Sequence, residues 1–247
     1  MQITAMRNDI GESSSLEHYV ATQSNFASVV TAAMGLATII TLFGIVVLIS
    51  CYAEGDYRRI LSDLIAVQGN TAAGFVLAGA ALYIQCANIA GASRKLAIAA
   101  CVIAVALLLL SSELLVQGLF GVELTGVAVP GLAAVSGISG ARIHPLAAGG
   151  FVVLSVTLLL LNLRLRGGHY PAEYLAMMLI GVSAIPLVGY LYGVNKLTFL
   201  LCPSGIPFLT ALGFMLLGAT TLMARPSHRL MSTIILSLIH ISEPTRR

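Results

Sequence analysis

The chain has 247 residues, 58% of them hydrophobic and only 9% charged, with a mean hydropathy of +0.96 and a formal net charge of +3. A soluble domain carries roughly 25% charged residues, so this composition excludes one and points to an integral membrane protein. The charge is also too small and too dispersed for a nucleic-acid partner.

Several apolar runs of about 20 residues match a hydrocarbon core about 30 Å thick, and they lack the period-two alternation of barrel strands. The expected fold is all-α: a polytopic membrane bundle of about six transmembrane helices in the lipid bilayer. Residues 1–26 read as a polar N-terminal segment, too long before the first run for a cleavable signal peptide. Residues 27–224 read as the membrane domain and 225–235 as the start of a continuation.

Run one covers Ala27 to Cys51, followed by the charged stretch YAEGDYRRILSDL. Run two spans Asn70 to Ala90 and ends before Arg94-Lys95; run three spans Leu96 to Gly121. A connection rich in Gly, Ser and Pro, Val122 to His144, leads to run four, Pro145 to Leu163. Run five, Glu173 to Val194, contains Pro186, which should kink it and free a carbonyl that Ser183 or a neighbouring helix must cover. Run six is Phe208 to Ala224.

The runs repeat. LVQGLFGVEL at Leu115 to Leu124 returns as LVGYLYGVNK at Leu187 to Lys196, and a Gly-Phe pair opens alternate runs at Gly74-Phe75, Gly150-Phe151 and Gly213-Phe214. The unit reads as a helical hairpin entered at Gly-Phe and left at aromatic-Gly-Val, at Phe120-Gly121 and again at Tyr192-Gly193. Leu42-Phe43-Gly44-Ile45 resembles those exits, making the chain a half unit, two hairpins and an opening third. Alternate connections collect Arg7, Arg94, Lys95, Arg164, Arg166, Arg225 and Arg229 on one side, against Arg58, Arg59, Arg142 and Lys196 on the other. Because cytoplasmic loops are enriched in Lys and Arg, the N-terminus is expected to be cytoplasmic.

Glu113 is the only acid well inside a run, and with Ser111, Ser112 and Gln117 it forms the most polar membrane patch, the first place to seek a ligand pocket. It lies about 25 Å along its helix, near the edge of the core, where an interfacial role is the simpler reading. Gln85 and Asn88 suit interhelical hydrogen bonds. His18, His144, His169, His228 and His240 lie in loops or tails, with no pairing for haem or clustering for a metal. No cofactor, metal site or catalytic motif is expected. Cys51 and Cys202 fall on the outer side, where a disulfide is geometrically open but not specified by sequence.

GYLYGV at Gly189 to Val194, TALGFMLLG at Thr210 to Gly218, Ala224-Arg225-Pro226 and Leu230-Met231 together resemble the N-terminal membrane module of bacterial sensor histidine kinases with PAS domains. Related modules precede diguanylate cyclase outputs. RIHPLAAGGF at Arg142 to Phe151 and QGNTAAGF at Gln68 to Phe75 resemble further landmarks of that family, so the resemblance covers roughly residues 36–235. The family's polar residue five before the Phe is present as Asn70 but is Leu146 and Leu209 in the later units, and a frequent Glu is Gln117 here.

The resemblance implies a multi-pass sensory input module of a two-component system in the bacterial inner membrane. It also implies continuation into cytosolic output domains, and a homodimer formed through them. Leu236 to Arg247, LSLIHISEPTRR, resembles translated sequencing-adapter read-through of metagenomic origin, so the chain reads as a fragment with a non-native tail. The alternative from another class is a small transporter or permease, with Pro186 in a broken helix.

Overall fold

The structure is a computed structural model, and it describes residues 26–50, 69–89, 93–121, 145–163, 165, 169–194 and 206–225. Among them are six helices and no strand: α1 (Phe26–Ser50), α2 (Gly69–Ala87), α3 (Arg94–Phe120), α4 (Pro145–Leu160), α5 (Pro171–Leu191) and α6 (Phe208–Met223). Each coincides with one apolar run. The connection 122–144, the segment from 226 onward, Cys51 and Cys202 lie outside the described residues, as do all the histidines except His169.

Four helices, α1, α2, α3 and α5, are long and apolar enough to cross a membrane, and the protein is a helical membrane protein. The remaining two, α4 and α6, have 16 residues each, about 24 Å, which is shorter than the hydrocarbon core. Their position accounts for this. Helices α2, α4 and α6 run parallel and touch one another as an inner triangle, while α3 and α5 pack outside it. No residue of α4 is exposed, whereas α3 turns Val102 and Leu109 and α5 turns Met177 outward, more than half exposed, as lipid-facing surfaces do.

The packing also rephases the repeat. The most extensive helix contacts are α3 with α4 and α5 with α6, so the structural unit is an outer helix followed by an inner one. With α1 against α2, the described helices make three whole pairs, and α6 closes the triangle on α2. This grouping differs from the sequence phasing of a half unit followed by hairpins, although α2 and α3, the first of those hairpins, also pack closely. The pairs meet at small residues four positions after each inner Phe. A Cβ on Gly79 would strike Thr41 of α1, one on Gly218 would lie 2.6 Å from Ile180 of α5, and the equivalent Ser155 is fully buried. Without a hydrophobic drive between helices in lipid, such close backbone approach supplies the attraction through van der Waals contact.

The two aromatic-Gly-Val exits are helix stops. Gly121 and Gly193 have φ of 66° and 65°, the left-handed conformation that only glycine adopts without strain. At α5 the Gly193 N–H donates to the Tyr190 carbonyl at 3.4 Å and the Val194 N–H to that of Gly189 at 2.9 Å, a Schellman closure. Gly193→Val is therefore expected to cost about 1–2 kcal/mol, visible as a lower midpoint in a circular-dichroism melt. The supposed third exit is different: Phe43 and Gly44 sit inside α1, where a Cβ on Gly44 would lie 2.8 Å from Val76 of α2. Phe120 is 73% exposed, whereas Phe43 meets Phe75 edge-on at 6.2 Å, so the two Phe-Gly pairs are not equivalent.

Pro186 lies within a continuous α5. Ser183 does not cover the carbonyl four residues before it, that of Val182, because its hydroxyl donates to Ile180 at 3.0 Å.

Candidate functional site

Two features of the inner triangle stand out, one at its middle and one at an end. At the middle, the three Gly-Phe pairs interlock in a ring. The Phe151 ring covers Gly74, the Phe214 ring covers Gly150, and the Phe75 ring covers Gly213; a Cβ on those glycines would lie 2.6, 2.9 and 2.5 Å from the ring above it. The three rings contact one another with centroids 5.3, 5.7 and 4.7 Å apart, all tilted or edge-on, the arrangement that aromatic quadrupoles favour. Each helix thus gives a ring to one neighbour and receives one from the other, which is why the motif recurs three times. The three alanines three before each Phe, Ala72, Ala148 and Ala211, are buried beside it.

The end of the triangle that carries Arg94, Lys95 and Arg225 is closed by polar side chains from all three inner helices. Counting eleven residues on from each Phe reaches Cys86, Asn162 and Arg225, so these positions are equivalent in the repeat. Arg225 is only 8% exposed. Its Nε donates to Asn162 Oδ1 at 3.0 Å, and its Nη1 donates to the Gln85 carbonyl at 3.1 Å and the Ala224 carbonyl at 3.0 Å. Gln85 in turn donates from Nε2 to the Leu158 carbonyl at 2.9 Å. One guanidinium therefore ties α6 to α2 and to the end of α4. Burial lowers the pKa of Arg225 from its ordinary value, and a guanidinium nonetheless stays charged.

The residues singled out in the sequence are distributed as follows. Glu113 and Gln117 are half-buried on α3 and paired, Gln117 Nε2 donating to Glu113 Oε1 at 3.2 Å. Ser111 and Ser112 donate to carbonyls of their own helix, those of Leu107 and Leu109. Neither of the two cavities described below includes any of the four. Asn88 binds the α2–α3 turn, exchanging hydrogen bonds with the backbone of Ser93 at 3.0 and 3.1 Å, so its role is a turn clasp and not an interhelical bond. Gln85 does bridge helices as expected. Tyr192 is 77% exposed, while Tyr190 two residues earlier donates its hydroxyl to the Ile206 carbonyl at 2.7 Å and stacks edge-on with Phe208. Tyr190→Phe removes that bond and should cost about 1 kcal/mol, measurable as a shifted melting midpoint with helix content unchanged.

At the opposite end of the triangle, Asn70 is 5% exposed, and its Oδ1 has no hydrogen-bond partner among the described residues. A small apolar cavity of about 20 Å³ lies between Leu146, Leu179, Ser183 and Ile206, and a more polar one of about 50 Å³ lies beside Arg225. Among the described residues no group of three His, Cys, Asp or Glu could hold a metal ion.

Arg225 was legible in the sequence as a charge that orients the chain and as part of the Ala224-Arg225-Pro226 landmark, but not as a buried group. Aligning the three units on Gly-Phe and reading eleven residues on would have placed it beside Asn162 and Cys86. No protein-family model matches the chain, and neither a curated protein nor a solved structure does.

Proposed function

We propose that the chain is the membrane-embedded input module of a bacterial signal-transduction protein of the sensor histidine kinase type, lying in the inner membrane with residues 225 onward leading toward cytosolic outputs. The observation that carries this reading is the placement of Arg225. It is the first residue beyond the α6 cap, and it is hydrogen-bonded to α4's end and to α2. A change in the packing of the triangle would alter those bonds and so the direction in which the following segment leaves the membrane, which is what an input module must transmit. Homodimerisation through output domains belongs to the same proposal.

The filled middle of the triangle also supports a non-transporting role. Transport of a hydrophilic substrate needs a polar path, and at the level of Gly74, Gly150 and Gly213 three phenyl rings occupy the axis. Pro186, which motivated the transporter alternative, lies in an unbroken helix.

The test is to read the encoding locus past Ile235. A frame that runs on into PAS, kinase or cyclase domains is the expected result. A stop within a span or two overturns the proposal, and flux measurements in proteoliposomes then take its place.

A further inference from the structure

Beside Arg225 the helices leave a cavity of about 50 Å³. Its floor is Gln85 and Arg225, 6% and 8% exposed, and its mouth is formed by Leu96, Ala97 and Asn162, all three open to the surface. A guanidinium has five N–H donors. Three of Arg225's go to Asn162 Oδ1 and to the carbonyls of Gln85 and Ala224, all neutral acceptors. The two on Nη2 have no acceptor among the described residues, and no described carboxylate hydrogen-bonds to the guanidinium. A buried cation held only by neutral groups is a costly arrangement, and a counter-ion relieves it.

A second, independent feature points the same way. Helix α3 starts at the mouth of this cavity, capped by Ser93, and its first two residues are Arg94 and Lys95, with no acidic residue in the turn. Cations at a helix N-terminus face the positive end of the macrodipole and are disfavoured there. An anion at the mouth would offset that interaction for Arg94, one turn before Ala97, and would accept from first-turn N–H groups. The buried guanidinium and the start of α3 therefore meet at one opening, which α3 lines with Leu96, Ala97, Ala100 and Cys101, Arg94 standing one turn before Ala97.

We propose that this cavity binds a phosphate group, supplied either by the headgroup of an anionic phospholipid or by free inorganic phosphate. Phosphate oxygens accept from Nη2 within the cavity, and the remaining negative charge lies toward Arg94 at the start of α3. Bound there, the group bridges α3 to α6 through Arg225 and stiffens the end of the inner triangle. Basic pockets between transmembrane helices are suited to such headgroups.

The experiment uses the full chain in dodecyl maltoside, melted by circular dichroism at 222 nm in four arms: detergent alone, added phosphatidylglycerol, added sodium phosphate, and sodium acetate at matched ionic strength. Native mass spectrometry counts what is bound. The expected result is a rise in the melting midpoint of about 5 °C or more at a hundredfold excess over Kd, with acetate giving none. A rise with phosphatidylglycerol alone identifies lipid as the source; a rise with sodium phosphate as well shows that the free ion is held. Arg94→Gln should weaken binding severalfold, Lys95→Gln on the far face of α3 should leave it nearly unchanged, and Arg225→Gln should abolish the shift. Ala97→Phe plugs the exposed mouth without touching a charge or the buried network, so it tests the site even if the Arg225 variant fails to fold. It should melt like the parent in detergent and gain nothing from either ligand. An equal shift in the parent and in Ala97→Phe, or no shift with either phosphate source, overturns the proposal.

Discussion

Gly213→Ala is expected to destabilise the bundle by about 1–3 kcal/mol, lowering its melting midpoint in detergent by several degrees. The new Cβ would lie 2.5 Å from Cζ and 2.6 Å from Cε1 of Phe75, a ring with no exposed surface and hence nowhere to retreat. Phe75 is itself in contact with Phe43, Phe151 and Phe214, so displacing it disturbs the other two Gly-Phe seats. Gly74→Ala and Gly150→Ala should behave alike, because each puts a Cβ within 3 Å of the ring above it. Gly35→Ala and Gly181→Ala are the matched controls: nothing lies within 4 Å of their Cβ positions. Both are helical, so alanine there should be neutral or stabilising by up to about 1 kcal/mol. If Gly213→Ala melts with the controls, the interlocked ring is not what holds the triangle together.

Phe75→Ala should have the largest single effect, about 3–5 kcal/mol. In a membrane the side chain does not gain by leaving lipid, so the cost is the lost dispersion contact around the void and the loss of three aromatic neighbours. The same substitution at Phe120, the last residue of α3 and 73% exposed, should cost little, which separates packing from mere aromatic content. The two effects are coupled. A double variant with Gly213→Ala and Phe75→Leu should lose less than the sum of its parts, because the smaller side chain makes room for the new methyl. Additive losses would mean that Gly213 and Phe75 do not share a seat.

These expectations rest on a motif that was visible in the chain as Gly-Phe recurring at 74, 150 and 213, while its use was not. Read linearly, each pair is simply a small residue beside a large one on an apolar helix. In the structure each Phe covers the Gly of a different unit, and the cycle closes only when three helices come together. The polar patch around Glu113 illustrates the opposite case. Composition made it conspicuous, yet Ser111 and Ser112 satisfy their hydroxyls on their own helix carbonyls, and Glu113 keeps to Gln117. The more connected polar group, Arg225 with Gln85 and Asn162, is assembled from three separate helix ends, of which only Gln85 was marked in the sequence as an interhelical hydrogen-bonding residue.

What the amino-acid sequence determined by itself was what depends on local chemistry: the all-helical class, the six helices to within a few residues, and the stops at Gly121 and Gly193, though not that Gly44 lies inside a helix. Apolar run length needs no partner to be read, whereas Gly44, which shares the Phe-Gly pattern of the stops, is told apart by its packing on α2. The tertiary structure alone decided which helices lie inside, how the repeat is phased and that Arg225 is buried. The reason is physical. A helix in lipid is apolar on every side, so no amphipathic stripe marks its inward face; that face is chosen by fit, by which ring meets which glycine, and fit exists only between helices.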